Sequence, residues 1–213
     1  QKTAYEITTR LVGSEMCIRD RSMTDPYIPL EAELGNVRKA LTLAYKYGFG
    51  FTLITKSNLI LRDIDLLDKI NKKTKCVVQM TMTTYDEELC KKIEPNVSTT
   101  KERFEVLKRM RDAGIPTVVW LCPILPFIND TYENISGILD YCIEAKVHGI
   151  ICFGMGLTLR EGNREYFYSQ LDKLFPRLKE KYVSAFGNQY SIGSPHNHEL
   201  MSLFHSTCEQ NGI

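Results

Sequence analysis

The sequence predicts an α/β fold with a parallel β-sheet, and three observations indicate this class. After residue 30, short runs of β-branched and aromatic residues alternate with longer segments whose apolar residues recur at helical spacing. The short runs are nearly continuous in apolar character, as in strands covered on both faces. Helix start and stop residues lie between the runs. Units of this length fit an open doubly wound sheet or a (β/α) barrel, complete or partial, and spacing does not choose between them.

Four strands are predicted from the apolar runs FTLIT, CVVQMTM, TVVWLC and IICF, at residues 51–55, 76–82, 117–122 and 150–153. Between the runs, three apolar stripes at helical spacing predict helices that pack on the sheet. The stripes are Leu34, Val37, Leu41 and Ala44, then Phe104, Leu107 and Met110, then Ile135, Ile138, Leu139 and Cys142.

The helix boundaries are predicted from capping residues. Thr99 with Glu102, and Asp130 with Glu133, have the spacing of capping boxes. Predicted helix stops are Gly48, Gly114 and Gly149. From residue 160 onward the pattern is helical, followed by an aromatic and glycine-rich connector at 182–193 and a last helix at about 198–210.

The domain organisation is predicted to be simple. No linker divides residues 23–213, so we expect one domain there. Residues 1–22 show neither the helical nor the strand periodicity of apolar residues. Their segment AYEITTRLVGSEMCIRDRS resembles a translated sequencing-adapter read-through. We therefore expect residues 1–22 to be an artefactual or disordered tail outside the fold.

Composition excludes little. With 27 basic and 26 acidic side chains, the formal net charge is +1, which does not favour a polyanion or an anionic membrane as partner. The 7 cysteines are scattered, odd in number and often within apolar runs, as reduced thiols in a cytosolic protein are. No apolar segment reaches the roughly 20 residues that span a bilayer, and no signal-peptide core is evident. A soluble, cytoplasmic protein is expected.

The candidate site lies at the carboxyl ends of the predicted strands, where ligands bind in parallel α/β proteins. Lys56 directly follows an apolar strand and lies beside two hydroxyl residues, which favours a ligand contact as much as a solvated lysine. Asp25 precedes a proline and could equally cap the helix that begins near Leu30. Glu94 precedes Pro95 and is interpreted as part of a turn that ends a helix. Arg103 lies in the first turn of a helix, where the dipole disfavours a cation, so an anion is expected to compensate it.

Other motifs are weak or missing. The pair His196 and His198, with His205 and Cys208 further along, is more typical of polar residues around a helix cap than of a metal site. The sequence contains no C-x-x-C pair, no G-x-G-x-x-G after a strand and no P-loop motif. The simplest nucleotide sites and a local metal hairpin are therefore excluded.

Four segments occur in a characteristic order: MTDPYIPLE, YGFGFTLITKSNLILRDIDLL, TMTTYDEELCKKIEPNVSTTKERFEVLKRMRDAGIPT and PILPFIND. Together they resemble the radical S-adenosylmethionine (SAM) proteins, in the branch related to spore photoproduct lyase, a DNA repair photolyase type. The similarity runs from about residue 22 to the last residue and includes the tail pattern FGNQYSIGSP. The ordered set is far more specific than any single segment.

The resemblance implies a partial (β/α)6 TIM-type barrel of the radical SAM kind, lacking its first strand, with a helical C-terminal extension. In the family, three cysteines of a C-x-x-x-C-x-x-C loop hold a [4Fe-4S] cluster that cleaves SAM to a 5′-deoxyadenosyl radical for hydrogen abstraction. Here the adapter-like peptide stands where that loop belongs, and Cys17 is no substitute. The resemblance therefore implies an N-terminally truncated fragment, inactive alone, of an enzyme whose intact parent carries the cluster.

The resemblance also implies a set of SAM-binding residues. Thr24 and Asp25 match the strand end beside the methionine moiety, Lys56 and Thr81 match SAM contacts, and Arg103 matches the arginine after the E-P motif. The assignment is chemically coherent, because a zwitterionic amino acid needs an acceptor for its ammonium and a cation for its carboxylate. Asp25 would supply the first, and Lys56 and Arg103 the second. No catalytic residue and no metal ligand is assigned.

Two other classes of function stay open. Lys56 could be the Schiff-base nucleophile of a class I lyase on a (β/α) barrel. The chain could instead be a non-catalytic module that binds SAM or nucleic acid. Relatives that repair DNA make a nucleic-acid partner conceivable, but the balanced charge does not support one. The small-molecule cofactor is the expected partner, and the oligomeric state is left open.

Overall fold

The computed structural model describes residues 25–213 and has a parallel four-stranded sheet at its centre, with strand order β1-β2-β3-β4. The strands are β1 (Phe51–Thr55), β2 (Cys76–Thr81), β3 (Thr117–Trp120) and β4 (Gly149–Ile151). The predicted α/β class and parallel sheet are confirmed. The predicted strands 76–82 and 117–122 extend past the observed ends of β2 and β3, although the N–H groups of Met82 and Leu121 still donate to the carbonyls of Trp120 and Ile151. The tail predicted at residues 1–22 lies outside the described residues.

Helices follow β1, β2 and β3, as the alternating pattern predicts. The helices of the described chain are α1 (Glu31–Leu34), α2 (Asn36–Tyr47), a 3-10 helix (Asn58–Asp63), α3 (Ile64–Lys73), α4 (Glu87–Ile93), α5 (Thr100–Asp112), α6 (Tyr132–Glu144), α7 (Asn163–Leu174), α8 (Leu178–Phe186) and α9 (Asn197–Asn211).

The two faces of the sheet differ in burial. One face packs into the main core, with Leu53, Val78, Met80 and Val119 at most 6% exposed. We call the opposite side the open face, because its side chains stay partly exposed in every strand. The open face is formed by Thr52, Ile54, Val77, Gln79, Val118, Trp120 and Ile151, which the parallel register aligns across the sheet.

The first predicted helix is broken in two. Gly35 takes a left-handed φ of 61°, which ends α1 and starts α2. The carboxylate of Glu31 accepts hydrogen bonds from the backbone N–H groups of Asn36 and Val37 and so caps α2. Leu34, predicted to face the core, is instead 47% exposed, because the break turns it away from the buried stripe.

One of the two predicted capping boxes is present. Thr99 and Glu102 cap α5 reciprocally, as predicted. The box predicted for Asp130 is wrong, because Thr131 caps α6 by accepting from the N–H of Asn134. The carboxylate of Asp130 is occupied elsewhere, since it accepts a hydrogen bond from the buried hydroxyl of Ser194.

Two of the three predicted helix stops agree with the structure. Gly48 is the left-handed C-cap of α2, and Gly114 follows the end of α5 with a φ of 69°. Gly149 does not end α6, because that helix already ends at Glu144 and Gly149 opens β4.

The C-terminal part adds a small second core to the sheet. An antiparallel pair, β5 (Gly156–Thr158) and β6 (Ser191–Gly193), packs with α7 and α8 around Leu159, Leu171 and Tyr182. The prediction of a connector at 182–193 is therefore wrong in part, since α8 and β6 occupy much of it. Tyr182 is buried, and its hydroxyl donates to the carbonyl of Pro126, which ties this part to the loop after β3.

Two further properties concern residues 25–213. Across residues 25–213, no helix has the length and apolar character needed to cross a bilayer. Within the same range, all 6 cysteines are free thiols, and Cys17 lies outside it.

Candidate functional site

Three charged side chains meet at the carboxyl ends of β1 and β2. Glu94 lies between two cations: its Oε1 pairs with Lys56 Nζ, and its Oε2 lies 2.8 Å from Arg103 Nη2. We call these residues the Lys56–Glu94–Arg103 cluster. Lys56 is the outermost member with a side chain 33% exposed, whereas Glu94 is 11% and Arg103 0% exposed. The cluster therefore presents Lys56 to solvent and keeps the other two charges behind it.

Arg103 is anchored to the protein on all sides. Its Nε donates to the carbonyl of Ser98 at 2.8 Å, and its Nη1 donates to the carbonyl of Thr81 at 2.9 Å. Nη2 forms the ion pair with Glu94 but no aligned hydrogen bond. The expectation that an anion compensates this cation is confirmed, and Glu94 is that anion. Because Arg103 is fully buried, it holds Glu94 in place from the interior and does not itself face solvent.

Electrostatics keeps Glu94 ionised. Burial raises the pKa of Glu94, but the charges of Arg103 and Lys56 and the hydrogen bond from Lys56 outweigh burial and hold this pKa below its usual range. The carboxylate is thus an anion at neutral pH and in mild acid. The sequence patterns predicted only a turn at Glu94; the signal that could have identified it was Arg103, a cation in the first turn of a helix, for which an anion was expected.

Asp25 ties the start of the described chain to the end of β1. Its Oδ1 accepts from the N–H of Tyr27 at 2.8 Å and from the Thr55 hydroxyl at 2.7 Å, and its Oδ2 accepts from the N–H of Lys56 at 2.6 Å. The alternative prediction of a helix cap near Leu30 is wrong, because these bonds reach β1 instead. Asp25 and Lys56 are thereby brought side by side. Thr24 lies outside the described residues.

Thr81 ends β2 beside the cluster. Its backbone carbonyl is held by Arg103, and its register partner in β3 is Trp120. None of the hydrogen bonds among residues 25–213 involves the Thr81 hydroxyl. The Thr81 hydroxyl therefore has no partner among the described residues, and Thr81 as a whole is 7% exposed.

A buried amide network supports the loop after β2. Asn129 and Asn134 each donate from Nδ2 to the carbonyl of Thr83 at 2.9 Å. Asn134 Oδ1 also accepts from the N–H of Tyr85 at 2.6 Å. The segments TMTTY and PFIND thus occur together because the second satisfies the backbone of the first. Sequence patterns did not reveal this network, since its partners are far apart in the chain.

A second charged network lies behind the 3-10 helix. The buried carboxylate of Asp63 accepts from Tyr27 Oη at 3.1 Å, from Arg38 Nη1 at 2.9 Å and from Arg62 Nη2 at 2.8 Å. Burial raises the pKa of Asp63, but the hydrogen bonds from Arg62, Arg38 and Tyr27 outweigh it and hold the pKa below its usual range. The motif residues in DPYIPLE and LRDIDLL therefore stabilise the fold.

These depressed pKa values predict acid destabilisation. Asp63 and Glu94 contribute stability that is fully present above their unfolded-state pKa values of about 4 and is lost as the pH falls through the folded-state values. We expect urea denaturation to give a constant free energy of unfolding from pH 7 to about 5 and a decline below about pH 4. Asp63→Asn should reduce this acid dependence, whereas Asp140→Asn on the exposed face of α6 should not. Stability that rises between pH 5 and pH 3 would contradict the assignment.

The described part of the chain forms no group of side chains that could bind a metal ion. Within residues 25–213, no three His, Cys, Asp or Glu side chains are placed to hold a metal ion. His196 is the N-cap residue of α9, in keeping with its interpretation as a polar cap residue. The [4Fe-4S] cluster, which the resemblance assigns to the intact parent only, has no ligand set among residues 25–213.

Fold and site together define an α/β protein whose polar side chains gather at the carboxyl ends of parallel strands, where this class binds ligands. The chain belongs to the radical SAM superfamily: residues 22–142 match that family, which is more than half of the chain. The predicted family is confirmed.

The chain is similar to three uncharacterized proteins. One from the Acidianus two-tailed virus is 30% identical over 178 residues, covering 76% of this chain and 57% of the viral protein. One from Mycobacterium tuberculosis is 26% identical over 159 residues, covering 75% of this chain and 46% of that protein. One from Methanocaldococcus jannaschii is 32% identical over 116 residues, covering 54% of this chain and 43% of that protein. The chain spans about half the length of these curated relatives.

Distant similarity extends to solved structures. One of them is SuiB of Streptococcus suis bound to S-adenosylmethionine, with 17% sequence identity and a TM-score of 0.41. The match covers 62% of this chain and 32% of SuiB.

Proposed function

We propose that the carboxyl ends of β1 and β2 bind the methionyl end of S-adenosylmethionine. The observation that carries this proposal is the Lys56–Glu94–Arg103 cluster beside Asp25, inside the part of the chain that matches the radical SAM superfamily. The two carboxylates and two cations sum to zero charge. A neutral but strongly dipolar surface complements a zwitterionic amino acid, whose two charged groups need opposite partners.

Lys56 is the residue we assign to the ligand carboxylate. It is the most exposed member of the cluster, and its Nζ has three donors of which Glu94 requires one. Glu94 acts by position: its contact with the buried Arg103 fixes the point at which the Lys56 ammonium lies. Arg103, predicted as a direct SAM contact, contributes in this proposal through Glu94.

Asp25 and Thr81 are assigned to the remaining polar groups of the ligand. The Asp25 carboxylate offers about four acceptor positions and uses three of them on Tyr27, Thr55 and Lys56, which leaves one for the ligand ammonium. The unpartnered Thr81 hydroxyl lies at the next strand end. Thr24, predicted with Asp25, belongs to the same proposal.

We further propose that the chain is the C-terminal part of a longer enzyme in the branch related to spore photoproduct lyase. Its four strands would be part of a (β/α)6 barrel, which is supported by the partly exposed open face and by the single neighbour that β1 and β4 each have among the described strands. The [4Fe-4S] cluster would belong to the intact parent. This chain alone is expected to bind and orient SAM without catalysis, as a cytoplasmic protein with residues 1–22 as a foreign tail.

The Schiff-base alternative gains no support from the site. A lysine nucleophile must be a neutral amine facing the substrate. Lys56 Nζ is instead engaged in an ion pair with the buried Glu94.

Titration calorimetry with SAM tests the proposal. The unaltered chain should bind SAM, and Lys56→Ala should weaken binding about 10- to 100-fold, because a charged hydrogen bond contributes about 1.5–3 kcal/mol. Lys72→Ala is the matched control, since Lys72 also forms an ion pair, with Asp68, but on the surface of α3. Absence of heat with the folded chain, or equal affinity in Lys56→Ala, would overturn the assignment.

A further inference from the structure

We propose that a cavity at the amino-terminal ends of β3 and β4 is a binding site for a phosphate group. This end of the sheet is opposite to the end that carries the Lys56–Glu94–Arg103 cluster. Since β3 has 4 residues, the length of the strand separates the two sites by about 13 Å. The inference goes beyond the proposed function and does not depend on it.

The cavity lies where the turns into β3 and β4 meet. It is open to solvent and has a volume of about 380 Å³. Among residues 25–213, its lining includes three basic side chains and no acidic one. The basic side chains are those of Arg111, Lys146 and His148. A volume near the lower end of the range for small-molecule sites admits a phosphate group with a small organic part attached.

The backbone at Lys146 indicates that this position holds a lysine for the sake of its side chain. Lys146 has a left-handed φ of 51° in the turn from α6 to β4, and the N–H of Val147 donates to the carbonyl of Cys142 at 3.1 Å. The turn from α5 to β3 has the same hydrogen-bond pattern, with Gly114 as its left-handed residue at a φ of 69°. Glycine is the usual residue at this point of a helix end, because a side chain disfavours the left-handed conformation. A conformational cost of this kind is a reason to look for a function of the lysine.

Arg111 is held beside the turn that contains Lys146. Its Nη1 donates to the carbonyl of Glu144 at 2.9 Å, which brings the guanidinium to the end of α6. Its Nε and Nη2 donate to Asp112 Oδ1 at 2.9 and 2.8 Å. Two of the five N–H donors are therefore left without a partner among the described residues. Because Asp112 offsets the charge of Arg111, the positive charge of the site comes from Lys146 and from His148 when it is protonated.

His148 completes the basic lining of the cavity. Its backbone N–H donates to the carbonyl of Thr117 at 2.7 Å, which fixes the chain at the first residue of β3. Lys146 and His148 are both exposed, whereas Val147 between them is buried. The two basic side chains therefore face the solvent-filled cavity from the same short segment.

This set of donors matches the chemistry of a phosphate. A guanidinium with two available N–H donors can hold two phosphate oxygens, and an ammonium and an imidazole can contact the others. A carboxylate has only two oxygens and would leave part of the set unused.

Proton NMR of the full chain in phosphate-free buffer tests the site, because the sequence has only 4 histidines whose imidazole resonances can be followed. At constant pH and ionic strength, added inorganic phosphate should shift the His148 resonances saturably. The resonances of His196, His198 and His205 should stay unchanged. Glycerol 3-phosphate and oligothymidylate identify the source of the phosphate group: tighter binding of the first indicates a small phosphate ester, and tighter binding of the second indicates a nucleic acid backbone.

Lys146→Gly separates binding from folding. Glycine fits the left-handed turn, so the melting temperature of the variant should be equal or higher, while inorganic phosphate should bind about tenfold more weakly through loss of a charged hydrogen bond. Lys75→Gly is the matched control, since Lys75 is also exposed and has a positive φ of 111°, but it precedes β2 and does not line the cavity. It should leave phosphate affinity unchanged.

The outcomes also separate this inference from the proposed function. Phosphate that shifts no histidine, shifts all of them alike, or binds Lys146→Gly as tightly as the unaltered chain would show that the cavity is not a phosphate site. SAM should leave the His148 resonances unchanged. Intact phosphate binding in a chain that fails to bind SAM would therefore support this site and count against the proposed function alone.

Discussion

Replacing Glu94 by glutamine is expected to lower the free energy of unfolding by about 3 to 5 kcal/mol, because the variant leaves a buried guanidinium without its anion. Arg103 is 0% exposed, and Glu94 is its partner at Nη2. Its other contacts go to the carbonyls of Ser98 and Thr81, which carry no net charge. Urea denaturation of the variant and the unaltered chain measures the difference.

Two further variants make this test specific. Glu88→Gln is the control, since Glu88 pairs with Lys91 on the surface and its side chain is 81% exposed; its effect should stay below about 0.5 kcal/mol. Adding Arg103→Met to Glu94→Gln removes the unpaired charge and should recover a large part of the loss. A Glu94→Gln variant as stable as the unaltered chain would show that Arg103 does not depend on this carboxylate.

Replacing Asn129 by alanine is expected to cost about 3 kcal/mol of unfolding free energy, because several buried groups lose their partner at once. Asn129 is 1% exposed. Its Oδ1 accepts from the N–H of Leu125 at 2.6 Å, and its Nδ2 donates to the carbonyl of Thr83 and the hydroxyl of Thr84. Thermal and urea unfolding of the variant measure the loss.

Asn188→Ala provides the comparison for this amide. Asn188 is exposed, and the contact it makes uses its backbone carbonyl, which Arg164 reaches. Its removal should change stability by less than about 0.5 kcal/mol. If Asn129→Ala were equally mild, the amide network would not be what holds the loop after β2.

The four strands of the parallel sheet were predictable because their signal is local. An apolar run such as FTLIT can bury both faces of a strand, so β1 has the predicted bounds. The capping box of Thr99 and Glu102 was predictable for the same reason, since both partners lie within one helical turn. The spacing of apolar residues did not reveal that Leu34 is exposed. The left-handed Gly35 between α1 and α2 turns Leu34 away from the buried stripe of α2.

The site was only partly predictable, because its contacts join distant segments. Lys56 and Arg103 were identified as unusually placed cations, but their shared anion, Glu94, lies 38 residues beyond Lys56. Asp130 matched a capping box locally, yet its carboxylate is taken by Ser194 from the far end of the chain. The local sequence predicts only that Trp120 is a strand residue. Its contact with Phe153 depends on the pairing of β3 with β4.

A crystal structure of the chain soaked with S-adenosylmethionine is the most direct measurement of the central proposal. The account predicts the methionyl carboxylate in hydrogen-bond contact with Lys56 Nζ and the ammonium beside Asp25, with the ion pair between Glu94 and Arg103 intact. Density for the methionyl group away from the ends of β1 and β2 would contradict it.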